Sequence, residues 1–69
     1  MAKPKVSDQT WIRIFHNSII DVFESEEHPD FYFKVQPKQG RAKYFYGETA
    51  WSDYQRYAAD LLDDAMYRV

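Results

Sequence analysis

The chain predicts a small α+β domain in the order helix, β-hairpin, helix (α-β-β-α), with two helices packed on one face of a small antiparallel sheet. Three observations predict it. An apolar stripe at helical spacing runs from Trp11 to Phe23; two strand-like runs, 31–36 and 41–46, flank the turn Pro37-Lys38-Gln39-Gly40; and a second helical stripe runs from Trp51 to Val69. Sixty-nine residues make one domain, and a chain this short buries only about 60% of the surface its unfolded form exposes.

Residues 1–6 contain Lys3, Pro4 and Lys5 without periodicity and read as a flexible basic arm ahead of a single domain over 7–69. Ser7 is placed to cap a first helix, Asp8 suits the positive end of its dipole, and Val6 with Trp11 would form a hydrophobic staple. Trp11, Ile12, Phe15, Ile19, Val22 and Phe23 fall within an arc of about 120°. A strand over 10–15 is the rival reading, since Trp, Ile, Phe and Thr favour strands; the persistence of the stripe to Phe23 favours the helix.

An acidic connector follows, with Glu24, Glu26, Glu27, His28 and Asp30. The Pro and Gly of 37–40 suit a turn, and the flanking runs then form an antiparallel hairpin. An even loop places Phe31, Phe33 and Val35 inward with Ala42, Tyr44 and Tyr46, and it turns Tyr32, Lys34, Gln36, Arg41, Lys43 and Phe45 outward. A three-residue loop would slip the pairing by one and mix these sets. The even loop separates charge from apolar groups better and is the expected one. The last helix is capped by Thr49 or by Ser52, the latter with Gln55 in the capping-box spacing. Its stripe of Trp51, Tyr54, Ala58, Leu61, Leu62, Ala65 and Val69 spans about 100°.

Composition removes several classes of function. There is no cysteine, hence no disulfide framework, thiolate zinc site or cysteine nucleophile. No apolar run exceeds three residues, which excludes a membrane-spanning helix and a signal-peptide core and makes the cytoplasm the expected location. A net charge of −2 exerts no global pull toward nucleic acid. No catalytic residues are expected: there is no G-x-S-x-G, no phosphate-binding glycine loop and no H-E-x-x-H, and His16 has no acid or nucleophile at helical spacing. The acidic connector lacks the alternating ligands and central glycine of a calcium loop, so neither a metal nor a cofactor is expected.

Three surfaces are candidates for binding. Residues 31–46 hold Lys34, Lys38, Arg41 and Lys43 and no acid. Under the even loop, Tyr32, Lys34, Arg41, Lys43 and Phe45 form a basic, aromatic outer face, with Lys34 directly opposite Lys43 at a mutual cost of up to about 1 kcal/mol. Cations interleaved with rings suit a single-stranded nucleic acid and equally an acidic protein segment; pairing of the lysines with the acidic connector is the internal alternative. On the last helix, Asp53, Tyr57, Asp60 and Asp64 form an acidic ridge. Ile14 and Ile20 fall outside the first helix's core arc and are candidates for self-association as a homodimer or for a partner interface.

The order helix, two strands, helix resembles a reduced double-stranded-RNA-binding domain. A third strand and a basic start to the last helix are missing, so no residue role carries over. The expected function is that of a small non-enzymatic cytosolic interaction module, an adaptor, inhibitor or accessory subunit that binds another protein and no membrane. Chains of this size and profile are commonly regulatory or phage-encoded. The alternative is nucleic-acid binding through the outer face of the hairpin.

Overall fold

The computed structural model describes the backbone of residues 4–67 and the side chains of residues 4–64. A 3-10 turn, Val6–Asp8, precedes four strands and one helix: β1 Trp11–His16, β2 Ile20–Ser25, β3 Tyr32–Pro37, β4 Lys43–Tyr46 and α1 Ala50–Tyr67. The strands form one antiparallel sheet in the order β1-β2-β3-β4. The class is α+β, but the first expected helix is a hairpin and the expected α-β-β-α order does not hold; the likeness to a double-stranded-RNA-binding domain goes with it.

The chemistry of residues 10–25 explains that correction. Asn17 bends the chain: its Oδ1 accepts from the amides of Ile19 at 2.8 Å and Ile20 at 2.9 Å, and its own amide donates to the Ile20 carbonyl at 3.0 Å. A short polar side chain that satisfies backbone donors in this way competes with helix and favours a turn. On either side, aromatic and β-branched residues fill a pleated surface. Ser7 caps no α-helix; it sits in the 3-10 turn.

The second hairpin lies where expected, with a different register. Tyr32 pairs with Tyr46, Phe33 with Phe45, Lys34 with Tyr44 and Val35 with Lys43. The connection thus has odd parity, the one-residue slip that an even loop would have avoided, and it mixes the expected faces. Gly40 supplies the left-handed turn residue, with φ of 117°, and Gln36 Nε2 ties the loop by donating to the Gly40 carbonyl at 3.1 Å. Phe33 and Val35 are buried as expected, but opposite Phe45 and Lys43 rather than Tyr44 and Ala42. Phe31 is exposed.

The core lies between sheet and helix. Ile20, Val22 and Val35 are fully enclosed, with Ile19, Phe45, Tyr54, Tyr57, Ala58 and Leu61 packed around them. Phe33 stacks on Tyr54 at 4.4 Å and Phe45 tilts against Tyr57 at 5.6 Å. Helix α1 starts after Thr49, whose hydroxyl donates to Asp53 Oδ2 at 2.9 Å; Ser52 lies inside the first turn and is not the cap. Leu61 and Leu62 are half-buried. Ala65 and Val69 of the expected stripe lie outside the residues whose side chains are described, as do residues 1–3 of the expected arm.

A second, smaller cluster closes one end of the opposite face. Tyr32 is buried there although no helix among the described residues covers it. Trp11 meets it edge-on at 5.0 Å and Tyr46 at 5.1 Å, and the N-terminal segment lies over the group. Tyr32 Oη donates to the Pro4 carbonyl at 2.9 Å, and Trp11 Nε1 donates to the Val6 carbonyl at 3.2 Å. No helix among the described residues is long and apolar enough to cross a membrane.

Candidate functional site

The sheet is four strands wide, about 19 Å at the usual interstrand spacing, and a helix covers about 10 Å of it. Helix α1 rests on β3 and β4. Ile20 and Val22 of β2 are enclosed in the core, but among the described residues no second helix covers β1. There Ile12, Ile14 and Phe15 are 47%, 44% and 48% exposed.

A β-bulge shapes this edge. Arg13 pairs with Phe23 and Phe15 with Val22, so Ile14 is the extra residue in β1. The bulge brings Ile12 and Phe15 onto the helix side together, opposite Glu24 and Val22. Between this strand and α1 runs a groove of about 380 Å³ lined by Ile14, Phe15, Val22, Ala58, Ala59 and Leu62, with Tyr54 and Gln55 completing its walls. Trp51, 50% exposed, lies on the same helical flank as Gln55, Ala59 and Leu62. Two of the large exposed apolar side chains, Ile14 and Phe15, therefore line one groove. Contiguous apolar exposure beyond a few hundred Å² is uncommon on a monomeric protein.

The other face of the sheet carries a different chemistry. Across its middle the pairing aligns Arg13, Phe23, Lys34 and Tyr44, one from each strand. Lys34 Nζ lies 5.1 Å from the centroid of the Phe23 ring, and Trp11 tilts against Tyr44 at 5.9 Å. The next row holds His16, Asp21 and Gln36. Asp21 Oδ2 accepts from Lys38 Nζ at 3.0 Å, and His16 Nδ1 stands 3.8 Å from Oδ1. The Lys38 hydrogen bond, with help from its charge, holds the Asp21 carboxyl below its ordinary value against the opposing effect of burial.

The sequence-derived candidates distribute differently from their expected grouping. Tyr32 is buried in the aromatic end cluster, and that burial pushes its phenol up. Lys34 is on the open face, and Arg41 is exposed in the β3–β4 loop. Lys43 and Phe45 face the helix, with Lys43 Nζ 4.8 Å from the Tyr57 ring centroid. The five do not share a face. On α1, Asp53 accepts from Thr49, Tyr57 packs on Phe45, and Asp60 and Asp64 are exposed, with Asp64 bordering a hollow that Lys38 and Leu61 also line. The ridge therefore keeps its acids but not its tyrosine. Ile14 is exposed as expected, whereas Ile20 is 0% exposed at the centre of the core, so its expected exposure does not hold.

Two acids of the connector, Glu24 and Glu27, bond to Asp30 and Thr10 and not to the lysines. Glu27 accepts from the Thr10 amide at 2.7 Å and the Thr10 hydroxyl at 2.9 Å, and these bonds hold its carboxyl below the usual range. Glu24 Oε2 accepts from the amide of Asp30, which has φ of 66°. Among the described residues no three His, Asp or Glu side chains are gathered as a metal site would require.

By spacing alone Ile12, Phe15 and Phe23 fall in the core of a helix, and an even loop puts Tyr44 on the inner face of the hairpin, so neither the groove nor the central row is visible in the sequence. The available signal was the strand reading of 10–15. No known protein family, curated protein or solved structure matches this chain.

Proposed function

We propose that this chain is a small non-enzymatic protein-interaction module, an adaptor, inhibitor or accessory subunit, that docks an apolar-faced helix of another protein in the groove between β1 and α1. One observation carries the reading: Ile14 and Phe15 of β1 stand exposed in a groove whose other wall is α1, with exposed Ile12 next along the same strand. Ala58 and Ala59 on the groove wall permit close approach of a second helix axis. The bulge at Ile14 twists the free edge of β1, a device that discourages edge-to-edge strand pairing, so a helix suits the site better than an added strand.

The test is affinity capture from the native host with the wild-type chain and with Ile14→Lys. A partner retained by the wild type and lost by Ile14→Lys supports the reading, provided the partner's crosslinks to a photoreactive residue at position 15 map to an amphipathic helix. Equal capture by both chains, or crosslinks confined to the opposite face, would overturn it. Light scattering on the isolated chain should give a monomer; a dimer dispersed by Ile14→Lys would replace the foreign partner with a second copy.

A further inference from the structure

We infer that the open face of the sheet binds single-stranded nucleic acid, with Arg13 and Lys34 meeting phosphates and Phe23 and Tyr44 stacking on bases. The inference is independent of the groove, which lies on the other side of the sheet.

The central row alternates cation and ring across all four strands: Arg13, Phe23, Lys34, Tyr44. Neighbouring strands are about 4.8 Å apart, so Phe23 and Tyr44 lie about 10 Å apart with Lys34 between them. A solvated sheet face is ordinarily polar; here half-buried rings occupy the positions between the cations. Lys34 already lies over Phe23, and an arriving phosphate would draw its ammonium off the ring and leave the ring free for a base. Base-on-ring stacking combined with a cationic track is the basis of sequence-tolerant single-strand binding.

Charge segregation supports the assignment. Within the rows His16–Asp21–Gln36 and Arg13–Phe23–Lys34–Tyr44 the one acid is Asp21, which is paired with Lys38. Glu48, Asp53, Asp60, Asp63 and Asp64 belong to α1 and the turn before it, across the sheet from this face. The overall charge of −2 therefore coexists with two rows in which Arg13 and Lys34, with Lys38 beside them, face the single acid Asp21. A flat sheet reads unstacked bases rather than the floor of a duplex groove, which needs a projecting helix or ribbon.

Fluorescence polarisation with a labelled oligo-dT, the matching oligo-U and a duplex of the same length, at two salt concentrations, tests this directly. Both single strands should bind more tightly than the duplex. Lys34→Ala and Arg13→Ala should each reduce the slope of log affinity against log salt by about 0.7. Tyr44→Ala should weaken binding about five- to a hundredfold, while Tyr44→Phe, which keeps the ring, should restore it. Lys43→Ala makes the same charge change on the helix side and should leave affinity within about twofold, because it removes no phosphate contact. Circular dichroism of each variant establishes that the fold is retained. The inference is overturned if no saturable binding occurs, if Lys43→Ala costs as much as Lys34→Ala, or if polyglutamate competes as well as the oligonucleotide does.

Discussion

Lys34 and Lys43 stand on opposite faces of the sheet. Lys34 is paired with Tyr44 and lies over the ring of Phe23, whereas Lys43 is paired with Val35 and lies between the rings of Phe45 and Tyr57. The two cations do not repel one another across a strand pair, and each rests on aromatic carbon.

Removing Lys43 should therefore cost stability rather than relieve a repulsion. Lys43→Ala is expected to lose about 0.5–1 kcal/mol, the usual value of an exposed cation–π contact. Urea unfolding of wild type and variant checks it; a more stable variant would show that the like-charge account was right after all.

Core substitutions should rank by enclosure. Ile20 is fully buried and Leu61 is half-buried, so Ile20→Ala should cost about 2–5 kcal/mol. Leu61→Ala should cost about 1–2 kcal/mol, in proportion to the smaller area it removes from water. The ratio of the two unfolding midpoints is the measurement, and an inverted order would place the core elsewhere.

The first hairpin depends on one side chain. Asn17→Ala strips the acceptor from the Ile19 and Ile20 amides and should cost about 1–3 kcal/mol through unsatisfied donors. Asn17→Asp keeps the acceptor and should recover most of the loss. Matched thermal melts of the three chains give the answer.

Stability should fall at both extremes of pH. Asp21 and Glu27 have folded values below their ordinary 3.8 and 4.5. Their contributions are complete above those ordinary values and disappear as the pH drops through the lower folded ones. Tyr32 has the opposite sign: its folded value lies above the ordinary 10.0, so its contribution is complete below pH 10.0 and vanishes as the pH climbs through the higher folded value. A pH series of urea midpoints should show the acid limb flattened in Asp21→Asn and the alkaline limb flattened in Tyr32→Phe.

Legibility in the sequence divides at residue 30. The C-terminal helix was legible because Tyr54, Ala58 and Leu61 keep an unbroken helical spacing on the core side and Thr49 is one of two visible caps. The second hairpin was legible in position but not in register, because Pro37 and Gly40 announce a turn without fixing whether its parity is odd or even. The N-terminal half was misleading for a physical reason. The bulge at Ile14 sets Ile12 and Phe15 on one side of a strand at a separation of three, which copies helical spacing and hides the alternation of β1. The candidate sites suffered from the same two errors, since the groove needs β1 as a strand and the central row needs the correct pairing of Lys34.

The consecutive order of the strands also bears on how fast the molecule assembles. Each strand pairs with its neighbour in the chain, and α1 settles on the two strands that immediately precede it. Every closure spans a short loop, so little chain entropy is surrendered before the contacts that offset it form. The topology therefore places this β-rich chain among faster folders than sandwiches and barrels built from distant strands, and leaves little time for the apolar edge of β1 to meet another unfolded copy before the sheet behind it has closed.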